Sequence, residues 1–321
     1  MTREKLKQRL HRAFRVLPLW VVVVAVMAAF VPAGLFGATR YLNNYWVYRG
    51  YPPPSDPGYV TQRGTTETFS VTSAAVGGRS QRVVVFLPPG YAQQPARRYP
   101  VFYLLHGFPG RPDAFLLTVR AGVVEDILLA KKKIQPMILV MPMGSTGLFT
   151  DEEWANGIHP NSAWETFVTR DVVHAIDARY RTIATGAGRA LGGLSAGGYA
   201  ALNIGLHHPG MFGTLESWSG YELAQNVHSV FGGNPARLAL NSPLLQLPKQ
   251  AVALRRAGTY VWFYSGSTDT LRTQNAQFDA ALSRARVPHR YFVVNGGHNW
   301  SLWRGYASSA ILTASNHLAH A

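Results

Sequence analysis

Three runs in this chain are apolar at nearly every position and are closed by glycine: YPVFYLLHG (Tyr99–Gly107), PMILVMPMG (Pro136–Gly144) and GTYVWFYSG (Gly258–Gly266). A strand with one face in water alternates polar and apolar residues. A run without alternation buries both faces, which requires a sheet covered on both sides. Helical segments separate such runs: AGVVEDILLAKKK, then WETFVTRDVVHAIDARY, which sets Phe167, Val168, Val172, Val173 and Ile176 near helical spacing, and NAQFDAALSRA. Upstream, ETFSVTSA and QRVVVFLPP read as paired strands, and HRYFVVNGG as a later one. Strands alternating with helices predict an α/β fold with a mostly parallel central sheet flanked by helices. At 321 residues and 47% hydrophobic content the chain can build a sizeable core. It has no cysteine, which excludes disulfides, Cys-ligated zinc and a thiol nucleophile.

The net charge of +15 is uneven. Residues 1–40 carry +6, from Arg3, Lys5, Lys7, Arg9, Arg12, Arg15 and Arg40 against Glu4, and the rest carries +9. No nucleic-acid-binding motif accompanies the basic charge, so an anionic membrane or envelope polymer is the expected neighbour. From Val16 to Thr39 there are 24 residues without a charge, long enough for a transmembrane helix and longer than a signal-peptide core of about 7–15 residues. The preceding basic residues orient it with the N-terminus in the cytoplasm. The expected organisation is a basic cytoplasmic tail (1–15), a transmembrane signal anchor (16–39), an extended Tyr/Pro/Gly-rich linker (40–64) and an extracytoplasmic catalytic domain (65–321). Cleavage of the anchor, leaving a secreted domain, is the alternative.

The stretch GGLSAGG contains G-x-S-x-G around Ser195. The residues before it are strand-like and those after it form helix, the strand–turn–helix context in which such a serine is an exposed nucleophile. A serine hydroxyl needs a base, and the base needs an orienting acid. Among eleven histidines, His298 follows a strand and the turn NGG, at the carboxyl edge where open α/β sheets place their sites. His11 falls in the cytoplasmic tail, His207 and His208 end the helix after Ser195, and His317 and His320 fall in a terminal tail. The acid should lie between serine and histidine, which leaves Glu216, Glu222, Asp269 and Asp279. Asp269, just past a buried strand, is the first choice and Asp279, on the next helix, the reserve. The oxyanion hole is expected from the backbone N–H groups of Phe108, in LLHGFPG, and Ala196. His106 is read as ordering that loop.

The segments VFLPPGY, YPVFYLLHGFPG, PMILVMP, WETFVTRDV, GGLSAGGYAALNIGLHHPGMF, SGSTD and GGHNWSLW fall in the order seen in the esterase D-like family of α/β-hydrolases, which this chain resembles over roughly residues 65–312. That family includes S-formylglutathione hydrolases, feruloyl esterases and actinobacterial mycolyltransferases. The resemblance implies Ser195 as nucleophile, His298 as base, Asp269 as acid and the N–H groups of Phe108 and Ala196 as oxyanion hole. No cofactor or metal is expected. WETFVTRDV and the H-x-W-x-x-W pattern from His298 to Trp303 are most similar to the mycolyltransferases. The loop differs from theirs at His106 and Pro109, and their acid would correspond to Asp279. The expected function is a membrane-anchored extracytoplasmic serine esterase acting on a small-molecule, lipid or glycan ester. Acyl transfer to a sugar or lipid hydroxyl is the alternative, and a non-catalytic envelope-binding protein the third reading.

Overall fold

The computed structural model describes residues 18–33, 57–147 and 150–320. Contacts divide the chain into two compact units, Met1–Ser55 and Asp56–Ala321. In the first, the described element is a helix over Leu19–Ala33, fifteen residues and therefore about 22 Å long at 1.5 Å per residue. Among the described residues no helix is long and apolar enough to cross a membrane. The predicted 24-residue span is thus described as helix over only part of its length. Residues 16–17 and 34–39 of it, the tail 1–15 and the linker up to residue 56 lie outside the described residues.

The second unit is built on an eight-stranded sheet: β1 (Thr65–Ser73), β2 (Arg79–Leu87), β3 (Val101–Leu105), β4 (Ile138–Pro142), β5 (Arg189–Leu194), β6 (Thr214–Trp218), β7 (Tyr260–Gly266) and β8 (His289–Val294), in the order β1-β2-β4-β3-β5-β6-β7-β8. β2 pairs antiparallel with both β1 and β4, and every other pairing is parallel. This is an α/β-hydrolase-like sheet.

The uninterrupted apolar runs follow from two-sided burial. Along β3, Val101, Tyr103 and Leu105 enter one core layer while Phe102 and Leu104 enter the other, as the two-residue period of a strand requires. The WETFVTRDV segment explains its own uneven spacing. Phe167–Val172 is a π turn between the helical stretches Trp164–Thr166 and Val173–Arg179. The wider turn keeps Phe167 with Val172, and Val168 with Val173, on one buried face although each pair is five residues apart.

Four features depart from the expectation. Residues 57–64, read as linker, belong to the compact unit: Val60 is buried and the Gly64 N–H donates to Asp126 Oδ1 (3.0 Å). Strand β6 escapes the pattern because Glu216 interrupts its apolar run, and that carboxyl is fully buried against the Trp218 indole N–H (2.9 Å). Helices over Pro235–Leu240 and Pro243–Arg256 each carry proline in the first turn, where its missing N–H is harmless. His317 is not in a tail but ends the helix Trp300–His317, stacked on Tyr260 with ring centroids 3.6 Å apart.

The helix Ala196–His207 meets the sheet at very short range. A Cβ on Gly197 would lie 1.9 Å from the Leu105 carbonyl oxygen, a backbone atom that cannot swing away. Gly197→Ala is therefore expected to lower stability by about 3 kcal/mol or more. Gly305, on the last helix, is the control, because a Cβ there would meet nothing within 4 Å. Gly305→Ala should be neutral or stabilise by up to about 1 kcal/mol. Urea denaturation of both variants checks this, and equal stabilities would remove the tight approach as a determinant of the fold.

Candidate active site

Ser195 stands between β5 and the helix Ala196–His207 with φ 55° and ψ −122°, a region that residues with a side chain rarely occupy and that costs of order 1–3 kcal/mol. The surroundings enforce it. The Ser195 N–H donates to the Trp218 carbonyl (3.1 Å), and its own carbonyl accepts from the Gly198 and Tyr199 N–H groups (2.9 and 3.0 Å). This strained turn lifts the hydroxyl above the carboxyl edge of the sheet.

The loops after β7 and β8 bring the partners. His298 Nε2 lies 2.8 Å from Ser195 Oγ, and His298 Nδ1 lies 3.0 Å from Asp269 Oδ2. With the Nδ1 proton donated to a carboxylate, Nε2 presents its lone pair to the serine hydroxyl, as a general base requires. Trp303 stands edge-on to the imidazole at 5.0 Å and donates its indole N–H to the Trp218 carbonyl (3.1 Å). The same carbonyl accepts from Ser195, so one atom ties nucleophile and base-supporting helix together.

Asp269 is buried, and burial alone would raise its pKa. The hydrogen bonds from His298, from the Ser219 hydroxyl and from the Leu271 N–H (2.9 Å) outweigh that and hold the carboxyl below its ordinary range. The reserve acid, Asp279, is elsewhere: its carboxylate meets His289 Nε2 at 3.1 Å. Of the two sequence candidates, the structure brings Asp269 to His298.

Phe108 and Ala196 line a small cavity together with Gly107, Gly144 and Trp154. As the first residue of its helix, Ala196 has no carbonyl one turn back to bond, so its N–H is free for a developing oxyanion. Gly107 packs where a Cβ would touch Leu194 and Ser195 at 3.0 Å, which sets the Phe108 loop directly against the nucleophile turn. His106 orders this loop rather than accepting a proton. Its Nε2 accepts from the Gly144 N–H (3.1 Å) and its Nδ1 donates to the Gly107 carbonyl (2.9 Å). Burial pushes its pKa down to about 4, so the ring is neutral.

Several residues of the site carried no motif. Ser219, with φ 58°, follows the unrecognised strand β6. Glu153 and Trp154 both adopt positive φ, in a stretch that looks like a solvated acidic run. Trp154 in fact donates its indole N–H to the His106 carbonyl (3.0 Å), and Glu153 is buried against the Tyr221 hydroxyl. Burial, with the neighbouring Asp151 charge, pushes the Glu153 carboxyl well above the usual range.

A doubly covered, mostly parallel sheet with a strained serine at a strand–helix turn, a histidine and a buried carboxylate in line defines the class: an α/β-hydrolase fold with a Ser–His–Asp arrangement. The Esterase family, described as "Putative esterase", matches residues 73–310, and the chain belongs to it. An esterase of Mycobacterium tuberculosis is 29% identical over 249 residues, covering 69% of this chain and 53% of that protein. A diacylglycerol acyltransferase/mycolyltransferase of Mycobacterium leprae is 27% identical, covering 63% and 69% respectively. A solved ferulic acid esterase superposes with a TM-score of 0.71 at 25% identity, covering 80% of this chain and all of that one. The chain spans little more than half the length of the first curated relatives it matches, 58% and 53%.

Asp269→Asn should lower turnover by about 10⁴-fold and Asp279→Asn by less than tenfold. Ser219→Ala removes a donor to Asp269 Oδ2, so the carboxyl pKa should rise. A carboxyl held below its ordinary range contributes above that range and loses its contribution as pH falls through the lowered value. In Ser219→Ala the acid-side loss of stability should therefore begin at higher pH than in the wild type. Thermal denaturation across acid pH checks this, and an unshifted acid limb would separate Ser219 from the acid.

Proposed function

We propose that this chain is a serine esterase that cleaves a carboxylic ester through an acyl-enzyme on Ser195. The observation that carries the reading is the continuous hydrogen-bonded path from Ser195 Oγ through His298 to an ionised Asp269. His298 takes the hydroxyl proton as Ser195 attacks the ester carbonyl, and the N–H groups of Phe108 and Ala196 stabilise the negative oxygen. The imidazolium then protonates the leaving alcohol. A water activated by the same imidazole releases the acid.

Hydrolysis is favoured over transfer by access. One third of the His298 side chain is exposed, so water reaches the base once the alcohol has left. The relative named as a mycolyltransferase supports acyl transfer to a sugar or lipid hydroxyl as the second reading. For placement, the charge-free run Val16–Thr39 behind a basic tail supports a signal anchor that leaves the enzyme outside the cytoplasm and on the membrane.

A fluorophosphonate probe should label the wild type but not Ser195→Ala, and hydrolysis of p-nitrophenyl acetate should fall by about 10⁴-fold or more in that variant. Retention of more than about a tenth of the activity would remove Ser195 from the mechanism. Product analysis with and without added carbohydrate separates the two readings: free acid in both cases supports hydrolysis, and an acylated sugar supports transfer. On intact cells, external protease should digest the catalytic domain, and a protected domain would overturn the placement.

A further inference from the structure

The sheet edge that carries Ser195 also carries three arginines that the chemistry above does not use. Because β2 runs against the parallel strands, its first residues lie at their carboxyl edge, where the Met143 N–H donates to the Arg82 carbonyl (2.8 Å). Arg79 and Arg82 reach the edge that way. Arg111 reaches it from the loop after β3, three residues beyond Phe108. With Ser80, Ser145 and Thr146 these guanidinium groups line an open groove of about 620 Å³. Ser145 also lines the cavity that holds Phe108 and Ala196, so the groove opens beside the position of the scissile carbonyl.

The positive charge in the groove is only partly offset. Arg82 is ion-paired with Asp113. Arg79 donates to the Val76 carbonyl (3.0 Å) and lies within the field of Glu152. Arg111 is exposed and has no ionic partner among the described residues. Met143 is the one apolar side chain of the lining. A single guanidinium fork satisfies a carboxylate. Donors arriving from three directions, joined by hydroxyls, suit a group with oxygens on several sides, which is a phosphoryl group.

We propose that this groove is an anion subsite of the active site and that the preferred substrate is an ester bearing a phosphoryl group a few bonds from the scissile carbonyl. Arg79 and Arg111 hold the phosphoryl oxygens, and Asp113 keeps the Arg82 guanidinium in place at the groove wall. The proposal rests on the ester-cleaving reading of Ser195.

Two measurements on the full chain test it. The first is the ratio of kcat/KM for an acetyl ester of glycerol 3-phosphate to that for the matching neutral glycerol acetate. It should be about tenfold or more in the wild type, fall towards one in the double variant Arg79→Gln/Arg111→Gln, and fall below one in Arg111→Glu. The second needs no turnover: calorimetric binding of inorganic phosphate to Ser195→Ala, expected to weaken at least about tenfold when the two arginines are also replaced. Phosphate binding that depends on the arginines, with no ester cleaved, would sustain the anion site and sink the esterase reading. Cleavage of neutral and phosphorylated esters at equal kcat/KM, with no phosphate bound, would overturn the subsite and leave the esterase standing. If inorganic phosphate alters turnover of the neutral ester instead of competing with the phosphorylated one, the groove serves free phosphate and the substrate assignment is overturned.

Discussion

The carbonyl of Leu105 occupies the space that a side chain on residue 197 would need, and much of the molecule is arranged around that contact. It sets the distance between β3 and the helix Ala196–His207. At that distance the chain passes from β5 into the helix through the positive φ of Ser195. The strain is sustained because both sides of the turn are anchored, by the Trp218 carbonyl on the β6 side and by the first turn of the helix on the other. The loop bearing Phe108 is then placed by its contact with the same turn through Gly107. Nucleophile position and oxyanion donors are consequences of one backbone approach.

Charge is distributed around this turn with equal consequence. Glu125, Glu216 and Glu222 are buried, and burial pushes each carboxyl well above the usual range. Glu222 lies close enough to Asp269 for the two charges to repel. Were Glu222 ionised, it would raise the Asp269 pKa and weaken the imidazolium's partner. Its burial favours the neutral form, and Asn275 Nδ2, which donates to Oε2 (3.2 Å) but is shared with the Gly220 carbonyl (2.9 Å), does not offset that. Asp269 escapes the same fate because three donors converge on it. Similar carboxyl groups in neighbouring buried positions are thus shifted in opposite directions according to how many donors each has.

The parts of the fold written in local chemistry were legible. β3, β4 and β7 declare themselves because burial on both faces demands unbroken apolar runs, and Ser195 and His298 because a strand–turn–helix serine and a loop histidine past a strand have characteristic neighbours. Asp269 was legible only as a preference, since nothing local distinguishes it from Asp279; the pairing of Asp279 with His289 is a tertiary fact. β6 was hidden by Glu216, whose burial depends on the Trp218 indole two residues on. Glu153 and Trp154 were hidden for a similar reason: an acidic run reads as solvated until Tyr221 and the His106 carbonyl are brought to it from 68 and 48 residues away. Ser219 went unseen because its function depends on a partner 50 residues away.

The reversed strand β2 shows how topology adds to a site what motifs do not. In a purely parallel sheet every strand offers its carboxyl end to one edge, and the residues available there are those that follow strands. Ser195, Asp269, His298 and Phe108 all follow strands in this way. One antiparallel strand brings a strand's beginning to that same edge, so Arg79 and Arg82 precede β2's apolar stretch and yet stand with residues that come after β3 and β4. The pairing Val83↔Pro142 fixes the register. A slip by one residue would turn Arg82 to the opposite face of the sheet and carry Val83 and Val85 out of the layer they share with Tyr103 and Val140. The core therefore specifies the position of the arginines, and the charge beside the nucleophile is set by hydrophobic packing on the far side of the same strand.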